Sequence, residues 1–568
     1  MRLTFLALSF LGSCLALHAL SASIFVRLRL EGTQILVVER LRSSLAPLAR
    51  AGVIAALLVY LTGGLWLRTN GTAFELTRFG WLLAPVFAAL VLHAPTPWLR
   101  RIWRLALTTR ARFAVAATVL GLTALGHALA VGNRYLSFRT TMDLAIYGNA
   151  CRNALFSTIK GDVWLFADHF EPALALFVPL CRIADPAWVL LIAQVLAWLA
   201  GAIGVYFLAR QARWSFPFAL LAAWAYLQFD GLITIAYYDF HLLALMLGVL
   251  PWLWFALVSR RYLLLCALAV FACGLKESVP LTLIGFGALL ACERPRWRGV
   301  ALTLFGALVF VAIMKWVYPV FRGGQESFYF AKYYGHLGNS LGDFVHTALT
   351  RPLYFLGTLL TAKKIGYVAT VLAPTLFIVL LRPSYLLPVL PALFINVASN
   401  DSNLFSLGYH YEAEIFPSLF CATLLLAKDA RLRRFRLPSL RLIWLAALLI
   451  GFTDRSPTHY ITKYQPSDDH HAIARLLAEK VPSDVKIAAN QRIAAHLTMH
   501  PQLYMMDYWL MENDWQRADA IVVAYPERHL GWYSWEVMER EKIPHWDDKL
   551  ALVYRDPFLW HFRIWYKR

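Results

Sequence analysis

Residues 133–186 read NRYLSFRTTMDLAIYGNACRNALFSTIKGDVWLFADHFEPALALFVPLCRIADP, a long polar stretch held between two apolar runs at 114–132 and 190–210. Each flanking run is long enough to cross a hydrocarbon core of about 30 Å. The stretch between them is therefore a loop on one side of a membrane. Comparable windows recur outward from it, from the first residues to about Phe452, and predict thirteen or fourteen spans. At 59% hydrophobic and 15% charged over 568 residues, the chain is too apolar for a soluble globule. It reads as a polytopic helical membrane protein.

The formal net charge is +20. A nucleic-acid surface would gather basic residues with aromatics along one polar stretch. Here they are scattered in short loops, which is the pattern of the positive-inside rule and excludes nucleic acid as the partner. Arg100, Arg101, Arg104, Arg110 and Arg112 fill one loop; Arg210 with Arg213, Arg260 with Arg261, Arg294 with Arg296 and Arg298, and the run 428–441 mark others. With these loops cytoplasmic, 133–186, 230–241, 275–278, 321–364, 399–413 and everything after about 453 fall outside. The first 22 residues resemble a signal segment, but the basic stretch 27–50 would resist export. A retained first helix is expected, with a cleaved signal or a non-spanning segment as the alternatives.

Five clusters lie on the predicted outer face: Asp143, the Asp168-His169 pair, Asp239 with His241, Lys276-Glu277, and His410 with Glu412. Each has an ordinary explanation. Asp143 precedes a helix-like stretch and could cap it, Lys276-Glu277 has the form of a plain ion pair, and the aromatics around YYDFH and GYHYEAE belong at interfaces. Carboxylates and imidazoles gathered on one face nonetheless point to chemistry or ion binding there. The apolar stretch 172–182 is too short to cross and contains Pro179; it is expected as a helix in the outer interface. Cys151 and Cys181 share the first outer loop, where an oxidising compartment would permit a disulfide; spacing alone leaves this open.

Three regions follow: added N-terminal helices over 1–110, a helical membrane domain over 111–453, and a domain outside the membrane over 454–568. The last alternates helix (DDHHAIARLLAEKV, QRIAAHLT) with strand (VKIAAN, DAIVVA, and two terminal strands). That order predicts a small α/β domain with a largely parallel sheet. It carries no phosphate loop or nucleophile elbow, and His470, His471, His496 and His500 lack metal-ligand spacing.

The order of TTMDLAIYGN, DHFEPALALFVPL, LLIAQVLAWLAGAIGVYFLAR, YYDFH, GLKES and GYHYEAEIFP resembles the bacterial polytopic membrane proteins of domain-of-unknown-function family 2079, over roughly residues 112–560. That family is similar in layout to GT-C glycosyltransferases. The resemblance implies a mainly α, GT-C-like transmembrane domain in the bacterial inner membrane, with an extracytoplasmic C-terminal domain. It implies an enzyme that moves a sugar from a polyprenyl phosphate donor, within the lipid bilayer, to an acceptor of unknown kind. Asp143 would be the base or acceptor activator. Asp168 would be a second carboxylate, able to hold a divalent metal ion with Asp143 or to orient the acceptor. His169, Asp239, His241, Lys276, Glu277, His410, Glu412 and Arg152 would bind substrate, with Lys276 on the leaving phosphate and Arg152 or His241 as alternatives. The large loop follows the fourth predicted span, where the family layout has it after the first. A secondary transporter or flippase, or a noncatalytic envelope scaffold, are the competing classes.

Overall fold

A computed structural model describes residues 35–69, 72–91, 108–292, 295–324, 328–427, 440–453, 455–481, 484–506, 514–524, 550–556 and 560–567, with a few single positions between 540 and 546. The first predicted span and the arginines at 100, 101, 104 and 294 lie outside the described residues, as does most of the run 428–441.

Three described helices are long and apolar enough to cross a membrane: helix α1 (Thr109–Leu136), a helix over Pro186–Gln211, and the run Trp297–Arg322. Two bent pairs qualify together, Phe216–Gln228 with Asp230–Tyr238 at 46° and Pro352–Leu359 with Ala362–Thr375 at 55°. Six shorter apolar helices accompany them. The hydropathy windows run on through positions where the backbone breaks. Proline lacks the N–H a helix interior needs, and Pro374 and Pro383 sit in 3₁₀ turns. An apolar run is therefore not always one straight span.

The loop at 133–186 folds into helix α2 (Met142–Arg152), a two-stranded hairpin of Phe156–Ser157 and Val163–Trp164, a 3₁₀ turn over Pro172–Phe177 and helix α3 (Val178–Ile183). Pro179 stands in the first turn of α3, where a missing N–H costs nothing. It starts this helix and does not interrupt it. Leu174 and Cys181 are buried while Leu176, Leu180 and Ile183 are exposed, so the segment is amphipathic. Among the N-terminal residues, the hairpin of Leu65–Thr69 and Thr72–Leu76 was not expected from the sequence.

In the C-terminal domain, strands β1 (Ile487–Ala489), β2 (Leu503–Met505), β3 (Ala520–Val523), β4 (Leu550–Asp556) and β5 (Phe562–Lys567) form one sheet in the order β2-β1-β3-β5-β4. The expected α/β domain is present, but its sheet is mixed. Strand β1 pairs parallel with β2 and β3, whereas β5 pairs antiparallel with β3 and β4. A parallel return needs a crossover of about a dozen residues, and the short link between β4 and β5 permits only a hairpin.

One apolar core runs from the membrane helices into this domain, through Ile473, Ile487, Leu503 and Phe562. The two parts also share hydrogen bonds. Thr158 Oγ1 donates to Leu503 O at 2.7 Å, Asn149 Nδ2 to Pro501 O at 3.3 Å, and Thr498 Oγ1 to Asp185 Oδ1 at 3.1 Å. Helix α2 lies so close that a Cβ on Gly148 would stand 2.5 Å from Thr498. Glycine is required there by contact. The C-terminal domain thus buttresses α2.

Candidate functional site

Helix α2 begins at Thr141, and its first turn carries Asp143. The start of this helix is held from a distant part of the chain. Asp239, at the end of the helix Asp230–Tyr238, accepts from the Thr141 backbone N–H at 2.8 Å and from Thr141 Oγ1 at 2.7 Å, and pairs with Arg134 at 3.2 Å. Its side chain is fully buried. Asp239 is therefore engaged as a cap and buried ion pair that fixes where α2 starts.

Asp143 has a different environment. His241 Nε2 lies 3.4 Å from its Oδ2, and 18% of the Asp143 side chain remains exposed. Burial and then the negative charge of Asp239 push its pKa up to about 7, against the opposing pull of Lys160, Lys276 and His169. Burial and the nearby cations keep His241 well below the usual imidazole range. His410 stacks face to face on His241, with ring centres 3.4 Å apart. The Nδ1 atoms of both rings are buried without a hydrogen-bond partner among the described residues. His241, with His410 stacked on it and both imidazoles disfavoured as cations by burial, thus stands beside a carboxyl group raised to near neutrality.

A second set lies alongside. His169 Nδ1 pairs with Glu277 Oε1 at 2.9 Å, and the Phe170 N–H donates to Glu277 Oε2 at 3.2 Å. Burial disfavours both charges, but the mutual attraction, with Lys276 adding to it for the acid, lowers Glu277 to about 2, while Glu277 and Asp168 raise His169. The adjacent Lys276-Glu277 pair is therefore not the ion pair that forms. Among the described residues Lys276 makes neither hydrogen bond nor ion pair, although Asp143, His169, Glu171, Glu277 and His410 all feel its charge. It is half-buried. This is an ammonium held among acids without a direct partner.

Asp168 pairs with Lys160 at 3.0 Å, and Arg322 donates to the carbonyls of Ala167 and Asp168 while lying over the Tyr318 ring. Burial opposes its charge, yet Lys160 and His169 outweigh this and hold Asp168 below the ordinary carboxylate range. Glu412 accepts from Tyr367 at 2.9 Å, and burial raises it to about 8. Arg152 stands at the far end of α2, where it donates to Arg182 O on α3. With a rise of 1.5 Å per residue that end is about 13 Å from Asp143, so Arg152 does not join the cluster.

Packing brings in residues that sequence reasoning missed. Glu171 is fully buried, accepts from Tyr147 at 2.9 Å and leaves Oε2 without a partner among the described residues; burial raises it to about 7. Glu414 accepts from Ser278 and Thr282, each at 2.7 Å. Lys160 and Arg322 supply the cations around Asp168. The available signals were membership of DHFEP and GYHYEAE for the two acids and position in a predicted outer loop for the two cations.

Among the described residues no three His, Cys, Asp or Glu side chains converge to hold a metal, and Asp168 is taken by Lys160.

A family model described as "Predicted membrane protein (DUF2079)" matches residues 135–545. No curated protein matches the sequence significantly. Among solved structures, ArnT from Cupriavidus metallidurans in the apo state is similar at a TM-score of 0.44 and 15% identity, covering 79% of this chain and 98% of that one. The same enzyme bound to undecaprenyl phosphate gives 0.41 and 15%, with the same coverage. The Archaeoglobus fulgidus oligosaccharyltransferase in complex with zinc and sulfate gives 0.39 and 12%, covering 77% of this chain and 72% of that one.

Proposed function

Because the chain belongs to the DUF2079 family of predicted membrane proteins, we propose that its site works at the membrane boundary as a glycosyl transferase. It moves a sugar from a polyprenyl phosphate carrier to an acceptor on the extracytoplasmic face. One observation carries this reading: Asp143, a carboxyl group raised toward neutrality by burial and by Asp239, stands within electrostatic reach of Lys276, an ammonium with no direct partner among the described residues.

Displacement of a polyprenyl phosphate from an anomeric carbon requires two things of a protein. The acceptor must lose a proton as it attacks, and the departing phosphate must be met by positive charge. Asp143 takes the proton from the acceptor's O–H or N–H. The acceptor atom then bonds to the anomeric carbon as the bond from that carbon to the phosphate oxygen breaks, with inversion. Lys276 holds the leaving phosphate. His241 and His410, neutral and stacked, offer open nitrogens to sugar or acceptor hydroxyls. Asp239 does not touch the reacting atoms; it positions α2 and through it Asp143. The steps described use only these side chains.

A transport reading has one supporting feature. His127 is fully buried within α1 and its Nδ1 lies 2.7 Å from the Tyr237 hydroxyl, a polar contact inside a span. Its other contacts among the described residues include Gln228, the Trp198 ring and the Leu227 backbone, and none of these is a charge partner for ion coupling.

The test is transfer from radiolabelled polyprenyl phosphate sugars to membrane extracts by purified wild type, Asp143→Asn and Lys276→Gln. Transfer by wild type that disappears in a folded, membrane-inserted Asp143→Asn variant supports the reading. Undiminished transfer in both variants removes these residues from the site and favours a scaffold or a transporter.

A further inference from the structure

We propose that Cys151 and Cys181 are joined by a disulfide that fastens helix α2, the carrier of Asp143, to helix α3. This rests on the reading that the loop at 133–186 lies outside the cytoplasm, in a compartment that permits disulfides.

The geometry comes from two independent ties between the same helices. Cys151 on the last turn of α2 and Cys181 within α3 are both fully buried. Their thiols are in hydrogen-bonding contact and are free in this structure. One residue further along each helix, Arg152 Nη1 donates to Arg182 O. The second tie sets the two helices side by side next to the thiols, the placement that a disulfide between them needs. The other described cysteines, Cys266, Cys273, Cys292 and Cys421, sit on apolar helices or at their ends.

The chemistry also sets when the bond forms. A thiolate is the attacking species, and in the folded loop the contact with Cys181, together with burial, raises the Cys151 thiol. Oxidation therefore belongs to the stage before the loop packs. The Cys151 thiolate attacks a disulfide of an extracytoplasmic thiol–disulfide oxidoreductase, displacing one of its sulfurs. The Cys181 thiolate then attacks the Cys151 sulfur of the mixed disulfide and releases the oxidant as a dithiol. Two electrons pass to the oxidant and two protons leave the cysteines. Once the loop has packed, burial shields the bond from reductants. Asp239 holds the start of α2, and the disulfide would hold its end.

The experiment is alkylation of full-length protein isolated from membranes, with N-ethylmaleimide added at lysis, denaturation without reductant, digestion and mass spectrometry. The expected result is a linked pair of peptides containing Cys151 and Cys181, neither alkylated until a reductant is added after denaturation, while Cys266, Cys273, Cys292 and Cys421 are alkylated throughout. Alkylation of Cys151 and Cys181 without reductant would overturn the inference. Labelling of a Trp164→Cys variant in intact cells by an impermeant maleimide separates the premises. Free thiols in a loop labelled from outside sink the disulfide alone, and free thiols in a loop that resists labelling sink the orientation with it.

Discussion

Asp143 and Asp239 are close enough for each to act on the other's charge, yet they occupy opposite kinds of environment. Asp239 is fully buried and saturated by Arg134 and two groups of Thr141. Asp143 is partly exposed and, among the described residues, has His241 as its direct partner. A carboxylate with both oxygens engaged by donors holds structure in place, because any change in its protonation breaks bonds already made. One with a single neutral neighbour can exchange a proton with an incoming group. The number of donors separates the two roles where residue type does not.

The sharpest way to break this comparison is to neutralise each acid in turn. Asp143→Asn is expected to lower transfer by about 10²–10⁴-fold, the range for loss of a general base, with little change in unfolding temperature. Asp239→Ala should do the reverse first: removing one partner of a buried pair costs about 3–5 kcal/mol, read as a lower unfolding midpoint in detergent, with activity failing along with the fold. If Asp143→Asn destabilised and Asp239→Ala did not, the roles assigned to the two acids would be exchanged.

Lys276→Gln comes next. A charged hydrogen bond to phosphate contributes about 1.5–3 kcal/mol, so transfer should fall by roughly 10–100-fold, and product inhibition by free polyprenyl phosphate should weaken. Unchanged inhibition would take Lys276 off the phosphate.

The pH profile follows from Asp143. Burial and Asp239 raise it to about 7, so the proton-accepting form is lost as pH falls through that value, and transfer should drop about tenfold per unit below it. A profile flat down to pH 5 would exclude Asp143 as the base.

The smallest effect concerns stability at the His169-Glu277 pair. His169 is raised from 6.5, so its contribution is complete below about 6.5 and is lost as pH rises through its folded value. Glu277 is lowered from 4.5 to about 2, so its contribution is present above about 4.5 and is lost as pH falls toward 2. His169→Gln should therefore lower the melting temperature most between about pH 4.5 and 6.5, and progressively less at higher pH.

The site was legible as positions and illegible as partnerships. Asp143, His169, His241, Lys276, Glu277 and His410 stood out because charges and imidazoles at the ends of apolar runs are costly and conspicuous. Their pairing did not follow from neighbourhood in the chain. Lys276 and Glu277 are adjacent, yet Glu277 binds His169 from another loop. Glu171 and Glu414 lay in the quoted motifs without being singled out, since nothing local tells a fully buried acid from a solvated one. Arg152 was drawn in by its loop, and the length of α2 then carried it away.

The sequence by itself determined that this is a polytopic helical membrane protein with a small α/β domain after residue 453, because membrane partition and helix or strand periodicity add up locally along the chain. It did not determine where apolar runs break, that the sheet is mixed, or that α2 is clamped against the C-terminal domain. Nor did it decide which acid is saturated and which is open. Those depend on contacts between segments far apart in sequence, and only the packing of the helices brings Arg134 and Thr141 to Asp239 while leaving Asp143 to His241.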